Sequence, residues 1–588
     1  MTDDRPSAPA IPQIRLRIVQ TTDLHMHLLA YDYDLLRLSG QRGLANLIAP
    51  ITALRADDTA TLLFDCGDFL QGSPLADTAA QAPGPHPIIT AMNALCYDAI
   101  VLGNHDFDYG LDVLKDALAD LTCPVLGANV QLENAPPLTQ PTAIIPVTSG
   151  KHSLRVGVIG LTTQESFLVQ NQPDAPRLLL SDPVLAAKKS QEQLRKQGAD
   201  IVIALCHFGI SQDAGADNVA VDVAALDGID AVLAGHTHDV FPGPDIPEGP
   251  HIAPEMGRLH NKPAMMAGAF GSHLGVMDLT AIQRDDRSWK ISDADVRVLA
   301  ADGPQAPPAS PALIQLHEST VQCLNRPVGT SRQALSNMFG LIQPDLTQQI
   351  LADARTSLAR DMLAGTAEAA LPILSCASPH QIGGKDHPFG FIHMAPGPIT
   401  HKTALAIYPF QDPIVALRRT MPQLIQLLEL NAMHFQQIAP GVQNQPLLSA
   451  NIPAYRFKTT FGLQYEIDVS KPAGARIRNV TYQGEAIRED QVFIVTTTVY
   501  NLGKYGLQSD QDVIAVSDLS SHEMLLQYLA AHSPLDTPLR HVWAFAPLPD
   551  TTVLFTTSPD ARAEMTDRHV TSRGLLPNGL QEFALAFD

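Results

Sequence analysis

Side chains that bind metals follow short apolar runs at several points in the first half of the chain. Carboxylates, imidazoles and a carboxamide recur in the order D-x-H, G-D, G-N-H-D, H and G-H-x-H. The segments are Asp23-Leu24-His25, Gly67-Asp68, Gly103-Asn104-His105-Asp106, Cys206-His207 and Gly235-His236-Thr237-His238. This ordered set suits two divalent metals that share one bridging carboxylate, an arrangement that hydrolyses phosphoesters.

The pattern also predicts how the ligands divide between the two ions. Asp68 is expected to bridge them, because it stands alone on a Gly-Asp turn between the other ligand pairs. The first ion is assigned to Asp23, His25 and His238, and the second to Asn104, His207 and His236. Mixed oxygen and nitrogen ligands favour Mn, Zn, Co or Fe over calcium. An isolated histidine is usually an ordinary core or surface residue, but this many ligands in one order argue against chance.

His105 is not needed as a ligand, although it lies within the same Gly-Asn-His-Asp segment. We therefore predict that it is catalytic, stabilising developing charge or protonating the leaving oxygen, and that Asp106 orients it. Asn104 is expected to position a phosphate oxygen in addition to binding a metal.

The elements that carry these segments are predicted to alternate between strand and helix. Apolar runs predict buried strands over 14–22, 61–66, 99–102, 155–161, 200–205 and 229–234, and helices over 86–95 and 183–197, the second capped by Asp182. Alternation of this kind predicts a layered α/β domain, with the ligand segments at the ends of strands.

The length of 588 residues predicts two large domains. We place the first at residues 12–302, a linker with a connecting helix (313–324) at 303–345, and the second at 346–588. The second domain mixes helices (346–364, 421–437) with strands (461–469, 491–498). Its fold is expected to be α+β.

Composition excludes several classes of partner. The net charge of −22 repels polymeric nucleic acid, and no apolar run is long enough to span a membrane. The sequence shows no secretory leader and its six cysteines form no disulfide framework, which predicts a cytoplasmic location. The oligomeric state is left open.

Longer segments around the ligands carry a family resemblance. Thr21 to His25, Gly67 to Pro74 and Gly103 to Gly110 resemble the 5′-nucleotidase branch of the calcineurin-like metallophosphoesterases. The resemblance implies a four-layer α/β sandwich that holds two metals, followed by a C-terminal nucleotidase domain with the nucleoside pocket. The family is normally exported, so a periplasmic location is the alternative.

The second half resembles one branch of that family. The Asn-Gly-Gly-x-Arg segment of common 5′-nucleotidases is missing. In its place, Ser375 to Lys385 resembles a loop of bacterial 2′,3′-cyclic-nucleotide 2′-phosphodiesterase/3′-nucleotidases. This implies that Gly383 and Gly384 contact substrate and that Tyr408 and Tyr500 sandwich the base, with Tyr505 as the fallback for Tyr500. Both tyrosines could instead be buried structural aromatics.

The resemblance implies that small nucleotides are the substrates and that the chain opens a 2′,3′-cyclic nucleotide to a 3′-nucleotide. The 3′-nucleotide is then hydrolysed to nucleoside and phosphate by a metal-activated hydroxide. One alternative is a 5′-nucleotidase or nucleotide-sugar hydrolase of the same fold. Another is a nucleotide-binding protein without catalysis, although such a protein would normally have lost a ligand or His105.

Overall fold

The computed structural model describes residues 12–163, 176–212, 218–302, 310–384, 389–449, 454–504, 512–565 and 569–587. The chain divides into two compact units, Met1–Val321 and Gln322–Asp588. This division falls inside the predicted linker (303–345), of which residues 303–309 lie outside the described ranges. The predicted domain limits at 302 and 346 stay a prediction.

Two large sheets form the first unit. Their main strands are β1 (Gln13–Thr21), β2 (Ala60–Asp65), β3 (Ala99–Val101), β4 (Val125–Leu126), β5 (Thr142–Ser149), β6 (His152–Thr162), β7 (Ile201–His207), β8 (Ala231–Ala234), β9 (Lys262–Ala267), β10 (His273–Gln283) and β11 (Trp289–Ala300). The first sheet has the order β11-β10-β1-β2-β3-β4. The second contains β9-β8-β7-β6-β5, with the short strands Val240–Phe241, Ile252–Ala253 and Arg258–Leu259 at its β9 side.

Helices flank the strands, as the alternating sequence pattern predicts. They are α1 (Ile48–Leu54), α2 (Pro74–Ala80), α3 (Pro87–Ala94), α4 (Leu111–Leu118), α5 (Pro183–Lys196), α6 (Ala220–Ala225) and α7 (Pro311–Leu324). Asp182 caps α5 as predicted, because its side chain accepts a hydrogen bond from the Leu185 amide at 2.8 Å.

The core of the first unit lies between the two sheets. The inner strands β7 and β8 are buried at every position and largely apolar, because both of their faces are covered. In β2 the last four residues are buried. Leu16, Phe64 and Val101 of the first sheet share one buried cluster with Val158 and Leu205 of the second. A second cluster lies between the second sheet and the helices α5 and α6. The four-layer α/β/β/α sandwich implied by the sequence is therefore confirmed.

Parallel pairing brings the ends of the ligand-bearing strands together. Strands β1, β2 and β3 are parallel neighbours, as are β6, β7, β8 and β9. The carboxyl ends of parallel strands lie at one edge of a sheet, where binding sites of α/β folds are usually found. The turns that follow β1, β2, β3, β7 and β8 carry the predicted ligands.

The second unit is a mixed α/β body. Its central sheet has the order Thr459–Phe461, Ile373–Ala377, Val492–Thr498, Pro413–Thr420 and Val513–Ser520. Smaller sheets are built from Leu463–Ile467, Ile477–Tyr482 and Trp543–Phe545, and from Thr552–Thr557, Val570–Leu575 and Gln581–Ala586. Its helices are α8 (Leu346–Leu363), α9 (His401–Ile407), α10 (Met421–Ala432), α11 (Val499–Lys504) and α12 (Ser521–Ala531).

Two predicted elements of this unit end earlier than expected. The helix predicted over 421–437 stops at Ala432, after which the Gln436 amide pairs with the Leu447 carbonyl. The strand predicted over 461–469 is interrupted at Gly462, whose φ of 104° does not fit an extended strand. Within the described ranges, no helix combines the length and apolar composition needed to cross a bilayer.

Candidate metal centre

Two groups of ligand side chains converge in the first unit. One comprises Asp23, His25 and His238, and the other Asp68, His207 and His236, with the donor atoms of each group within 4.8 Å of one another. Asn104 lies beside the second group, its Oδ1 3.2 Å from Nε2 of His207. The structure thus brings all seven predicted ligands together and divides them in the predicted way.

Asp68 faces ligands of both groups. Its Oδ2 is 3.1 Å from Nε2 of His207 and 3.8 Å from Nε2 of His25. Its Oδ1 accepts a hydrogen bond from the His105 amide at 2.8 Å. This placement fits the bridging role that the sequence pattern assigned to Asp68.

The turns that carry the ligands are strained. Positive φ angles occur at Asp23 (50°), His25 (45°), Asp68 (58°), His236 (77°) and His238 (60°). Asp and His enter this left-handed region more readily than most residues, but it remains uncommon for a residue with a Cβ atom. Such strain is held at functional sites by surrounding contacts, and here it aims the side chains of successive turns at a common point.

Two glycines allow these turns to approach one another. Gly67 has φ 95°, and a Cβ there would come within 2.5 Å of the Gly103 amide nitrogen. A Cβ on Gly103 would come within 2.1 Å of Oδ1 of Asp68. A larger residue at Gly103 would therefore displace the Asp68 carboxylate, and a larger residue at Gly67 would displace the backbone of Gly103 or the His207 ring.

Backbone carbonyls orient two of the imidazoles. Nδ1 of His25 lies 2.7 Å from the Gln71 carbonyl oxygen, and Nδ1 of His207 lies 2.6 Å from that of Cys66. Because a carbonyl can only accept, each Nδ1 must donate, so Nε2 is the nitrogen that can bind a metal when the ring is neutral. This is the usual orientation of histidines that bind metals through Nε2.

Buried carboxylates and imidazoles dominate the electrostatics of the centre. Burial raises the pKa of Asp23 to about 7 and lowers that of His25 to about 4. Burial also disfavours the Asp68 carboxylate, but His207 and His105 hold the pKa of that group well below its usual range. Burial disfavours the charged His207 ring as well, but the neighbouring Asp68 carboxylate raises the pKa of His207 to about 9. Bound cations would stabilise these buried carboxylates and would take the place of the proton on His207. The donor set and its orientation therefore fit divalent metals.

The structure corrects the predicted partner of His105. Nδ1 of His105 lies 2.7 Å from Oδ2 of Asp108, which orients the ring, whereas Asp106 does not. His105 begins a 3₁₀ turn (His105–Phe107) and Asp108 follows it, and in such a turn residues three apart lie on the same side. That i, i+3 relation in Gly-Asn-His-Asp-Phe-Asp could have identified Asp108 from the sequence.

Asp106 instead organises the backbone of the ligand turns. Its Oδ2 accepts hydrogen bonds from the amides of Asp68 (2.9 Å) and Gly103 (2.8 Å), and its Oδ1 from those of Phe69 and Leu70 (both 2.9 Å). The side chain is fully buried. Asp106 therefore holds the turn of Asp68 rather than orienting His105, contrary to the role predicted for it.

In the second unit, Tyr408 does not present the free ring faces that base stacking requires. The residue is 9% exposed, and the Arg355 guanidinium lies 5.0 Å from the ring centroid. Its hydroxyl donates to Oδ2 of Asp412 at 3.2 Å. This packing contradicts the predicted stacking role and favours the structural alternative, in which Tyr408 anchors the chain after α9.

Phe410 is the aromatic residue of this segment that the sequence interpretation missed. It is half-buried and lies 5.4 Å from the Tyr408 ring and 5.1 Å from the His380 ring. The sequence offered no signal for its partial exposure beyond its aromatic type.

The remaining predicted substrate contacts are placed as follows. Tyr500 is half-buried at the start of α11, and its fallback Tyr505 lies outside the described residues. Gly383 and Gly384 both have positive φ (78° and 87°), and a Cβ on Gly383 would come within 2.5 Å of the Phe391 ring. These glycines shape a tight turn, while contact with substrate stays a prediction for all three described residues.

Comparisons with known proteins place this geometry in a family. The chain matches the calcineurin-like phosphoesterase family over residues 16–240 and the 5′-nucleotidase C-terminal domain over residues 327–509. The 2′,3′-cyclic-nucleotide 2′-phosphodiesterase/3′-nucleotidase of Yersinia enterocolitica is 32% identical, over 94% of this chain and 91% of that protein.

Two further proteins are similar over most of the chain. The trifunctional nucleotide phosphoesterase protein YfkN of Bacillus subtilis is 29% identical over 93% of this chain, which spans 40% of that protein. The solved structure of a 5′-nucleotidase precursor from Thermus thermophilus has a TM-score of 0.60 at 21% identity, covering 90% of this chain and 99% of that one. This likeness supports the fold.

Proposed function

We propose, since the chain belongs to the family of 2′,3′-cyclic-nucleotide 2′-phosphodiesterase/3′-nucleotidases, that it hydrolyses 2′,3′-cyclic nucleotides to 3′-nucleotides and these to nucleosides and phosphate. The observation that carries the proposal is the pair of adjacent ligand groups. The Asp68 carboxylate lies close to His207 of one group and His25 of the other, and His105 lies beside them. Small nucleotides are thus the proposed substrates.

Divalent metals are the proposed cofactors, and Mn, Zn, Co and Fe suit the mixed oxygen and nitrogen ligands. Asp23, His25 and His238 would hold one ion, and Asn104, His207 and His236 the other, with Asp68 shared. When bound, two such ions would neutralise the charge of the phosphate and would lower the pKa of a bound water molecule to near neutral pH.

His105 is the proposed catalytic residue among the side chains that are not ligands. Its ring lies 5.5 Å from that of His25, and its side chain is 28% exposed, so it can reach a substrate at the ligand cluster. Because Asp108 holds Nδ1, the ring presents Nε2 to the substrate. From there it can donate a hydrogen bond to a phosphate oxygen or protonate the leaving ribose oxygen.

For the base, we propose that the second unit contributes Phe410 and Tyr500. Both are half-buried aromatics, whereas Tyr408 is covered by Arg355. Stacking on aromatic faces contributes about 1–3 kcal/mol per base and does not distinguish between bases. Purine and pyrimidine nucleotides should therefore both be substrates.

The alternatives make different predictions. A 5′-nucleotidase or nucleotide-sugar hydrolase would share the metal ligands, but the missing Asn-Gly-Gly-x-Arg segment and the Yersinia relative argue against it. A nucleotide-binding protein without catalysis would not need the complete ligand set together with an oriented His105.

A substrate panel tests the proposal directly. Phosphate release from 3′-AMP, and conversion of 2′,3′-cyclic AMP to 3′-AMP, should both require Mn²⁺ or a similar ion, and 5′-AMP should be hydrolysed much more slowly. An Asp68→Asn variant serves as the control for contaminating phosphatases. Preference for 5′-AMP would favour the first alternative, and tight nucleotide binding without turnover would favour the second.

A further inference from the structure

We propose that Phe270 is a positioning residue for the first ligand group, holding the imidazoles of His25 and His238 in the orientation that binds a metal. The inference rests on the proposed function only in taking Asp23, His25 and His238 as ligands of one ion. Phe270 is half-buried in the turn between β9 and β10, beside the centre but outside its ligand set.

The phenyl ring contacts several imidazoles at once. Its centroid lies 5.6 Å from that of His25, 5.2 Å from that of His238 and 4.7 Å from that of His27. The His238 contact is edge-on, with an interplanar angle of 74°. Aromatic pairs at these distances and angles are favourable and constrain how each ring can rotate.

His238 depends on such packing more than its neighbour does. Nδ1 of His25 is anchored on the Gln71 carbonyl, whereas the part of the chain that the structure describes offers no protein hydrogen bond to Nδ1 of His238. The Nε2 atoms of His25 and His238 nevertheless face each other at 3.1 Å. Packing against the Phe270 ring therefore takes the place of the hydrogen bond that normally fixes the plane of a ligating imidazole.

Phe270 has a strained backbone conformation at a position where its ring contacts the ligand imidazoles. Its φ is 61°, which is an outlier for a bulky residue and therefore destabilising in itself. Gly268 and Gly271 in the same turn also have positive φ. A glycine at 270 would relieve the strain but would remove every ring contact.

Further contacts fix Phe270 relative to the ligand turns. Its amide donates to the carbonyl of Asp23 at 2.8 Å, and its own carbonyl accepts from the Gly43 amide at 2.8 Å. The Arg42 guanidinium lies 5.2 Å from the ring centroid, a cation–π contact. The ring is therefore tied to the turn of Asp23 by the main chain and to His25 and His238 by packing.

The test measures metal affinity rather than activity alone. Apo-protein of the full chain is titrated with Zn²⁺ or Mn²⁺ against a chromogenic chelator, for wild type, Phe270→Leu, Phe270→Ala and Phe270→Gly. Phe270→Ala should lower the affinity for one of the two ions about 10- to 100-fold, the usual effect of removing a residue that orients a ligand. Phe270→Leu should restore part of the loss, because leucine keeps apolar bulk at the same position.

Two comparisons separate the ring from the backbone and from stability. Phe270→Gly should lose as much affinity as Phe270→Ala while being the more stable of the two, because glycine accepts the positive φ. Phe545→Ala, which removes a half-buried ring in the second unit, should leave both metal affinities unchanged.

Equal metal affinities in wild type and Phe270→Ala would overturn the proposal, as would an equal loss of affinity for both ions. Full affinity in Phe270→Gly would do the same, since the ring would then be dispensable. A wild-type protein that binds two ions but hydrolyses no nucleotide would contradict the proposed function, while a selective loss in Phe270→Ala would still support the role of Phe270.

Discussion

Substitution of Asp108 by asparagine should impair catalysis, whereas the same substitution of Asp106 should impair folding and metal binding, although the two carboxylates are only two positions apart. Asp108 bonds to His105 at 2.7 Å, whereas Asp106 accepts four backbone amides. We expect Asp108→Asn to lower kcat with metals retained. Asp106→Asn should instead lower stability and metal content.

The magnitude for Asp108 follows from the bond it makes. A charge-assisted hydrogen bond contributes about 1.5–3 kcal/mol. Each 1.36 kcal/mol is tenfold in rate, so kcat should fall about 10- to 160-fold. In His105→Ala, which removes the acid-base group itself, kcat should fall about 10²–10⁴-fold.

For Asp106, asparagine places an amide where one carboxylate oxygen accepts two backbone amides. Each buried donor left without an acceptor costs about 1–3 kcal/mol, so the free energy of unfolding should fall by about 2–6 kcal/mol. The turn of Asp68 would be released as well, because its own amide is one of these donors.

The assay combines three measurements on each variant: kcat with 3′-AMP at saturating Mn²⁺, bound metal by mass spectrometry, and the thermal midpoint. Asp112→Asn is the matched control, since that side chain is fully exposed. A wild-type kcat in Asp108→Asn would exclude the orienting role of Asp108. A lower kcat in Asp106→Asn with unchanged metal content and stability would exclude the structural role of Asp106.

Three further predictions concern the bridging ligand, the base and pH. Asp68→Asn should abolish hydrolysis and reduce bound metal, because the shared charge is lost; full activity would exclude bridging. Phe410→Ala should raise KM for nucleotides but leave p-nitrophenyl phosphate hydrolysis nearly unchanged, and equal losses on both would contradict a role in base binding. Burial lowers the pKa of His434 to about 4 from 6.5, so the stability it contributes is present above pH 6.5 and is lost as pH falls toward 4. Between about pH 7.5 and about pH 5 the wild type should lose about 2 kcal/mol more than His434→Leu in denaturant unfolding, and equal losses would refute this.

The convergence of the candidate metal ligands could be predicted from the sequence because each one follows an apolar run that becomes a buried strand. Parallel pairing of β1, β2 and β3, and of β7 with β8, brings the strand ends to one edge of each sheet. Ligands that are far apart in sequence but follow neighbouring strands of one sheet, such as His25 and Asp68, therefore meet through a rule of topology that needs no knowledge of side-chain packing.

Assignments that depended on side-chain direction were less secure. Asp106 is adjacent to His105 in sequence, but in the 3₁₀ turn it points to the Asp68 amide, and Asp108 takes its expected place. Tyr408 failed for a longer-range reason: Arg355, more than fifty residues earlier on α8, covers its ring. Similarly, Gly462 interrupts a strand that the apolar pattern alone would make continuous.

The ligand turns show why local preference and function diverge here. Asp23, His25 and Asp68 adopt backbone angles that their own sequences disfavour. The strain is offset by contacts from other segments: Asp106 accepts the amide of Asp68, and the Phe270 amide donates to the Asp23 carbonyl. Asp106 and Phe270 lie outside the ligand set. They therefore help to determine the geometry of the centre without contributing a donor atom to it. Substitutions at Asp106 and Phe270 should therefore alter metal binding as strongly as the loss of a peripheral ligand would, although neither position could be identified from the ligand motifs alone.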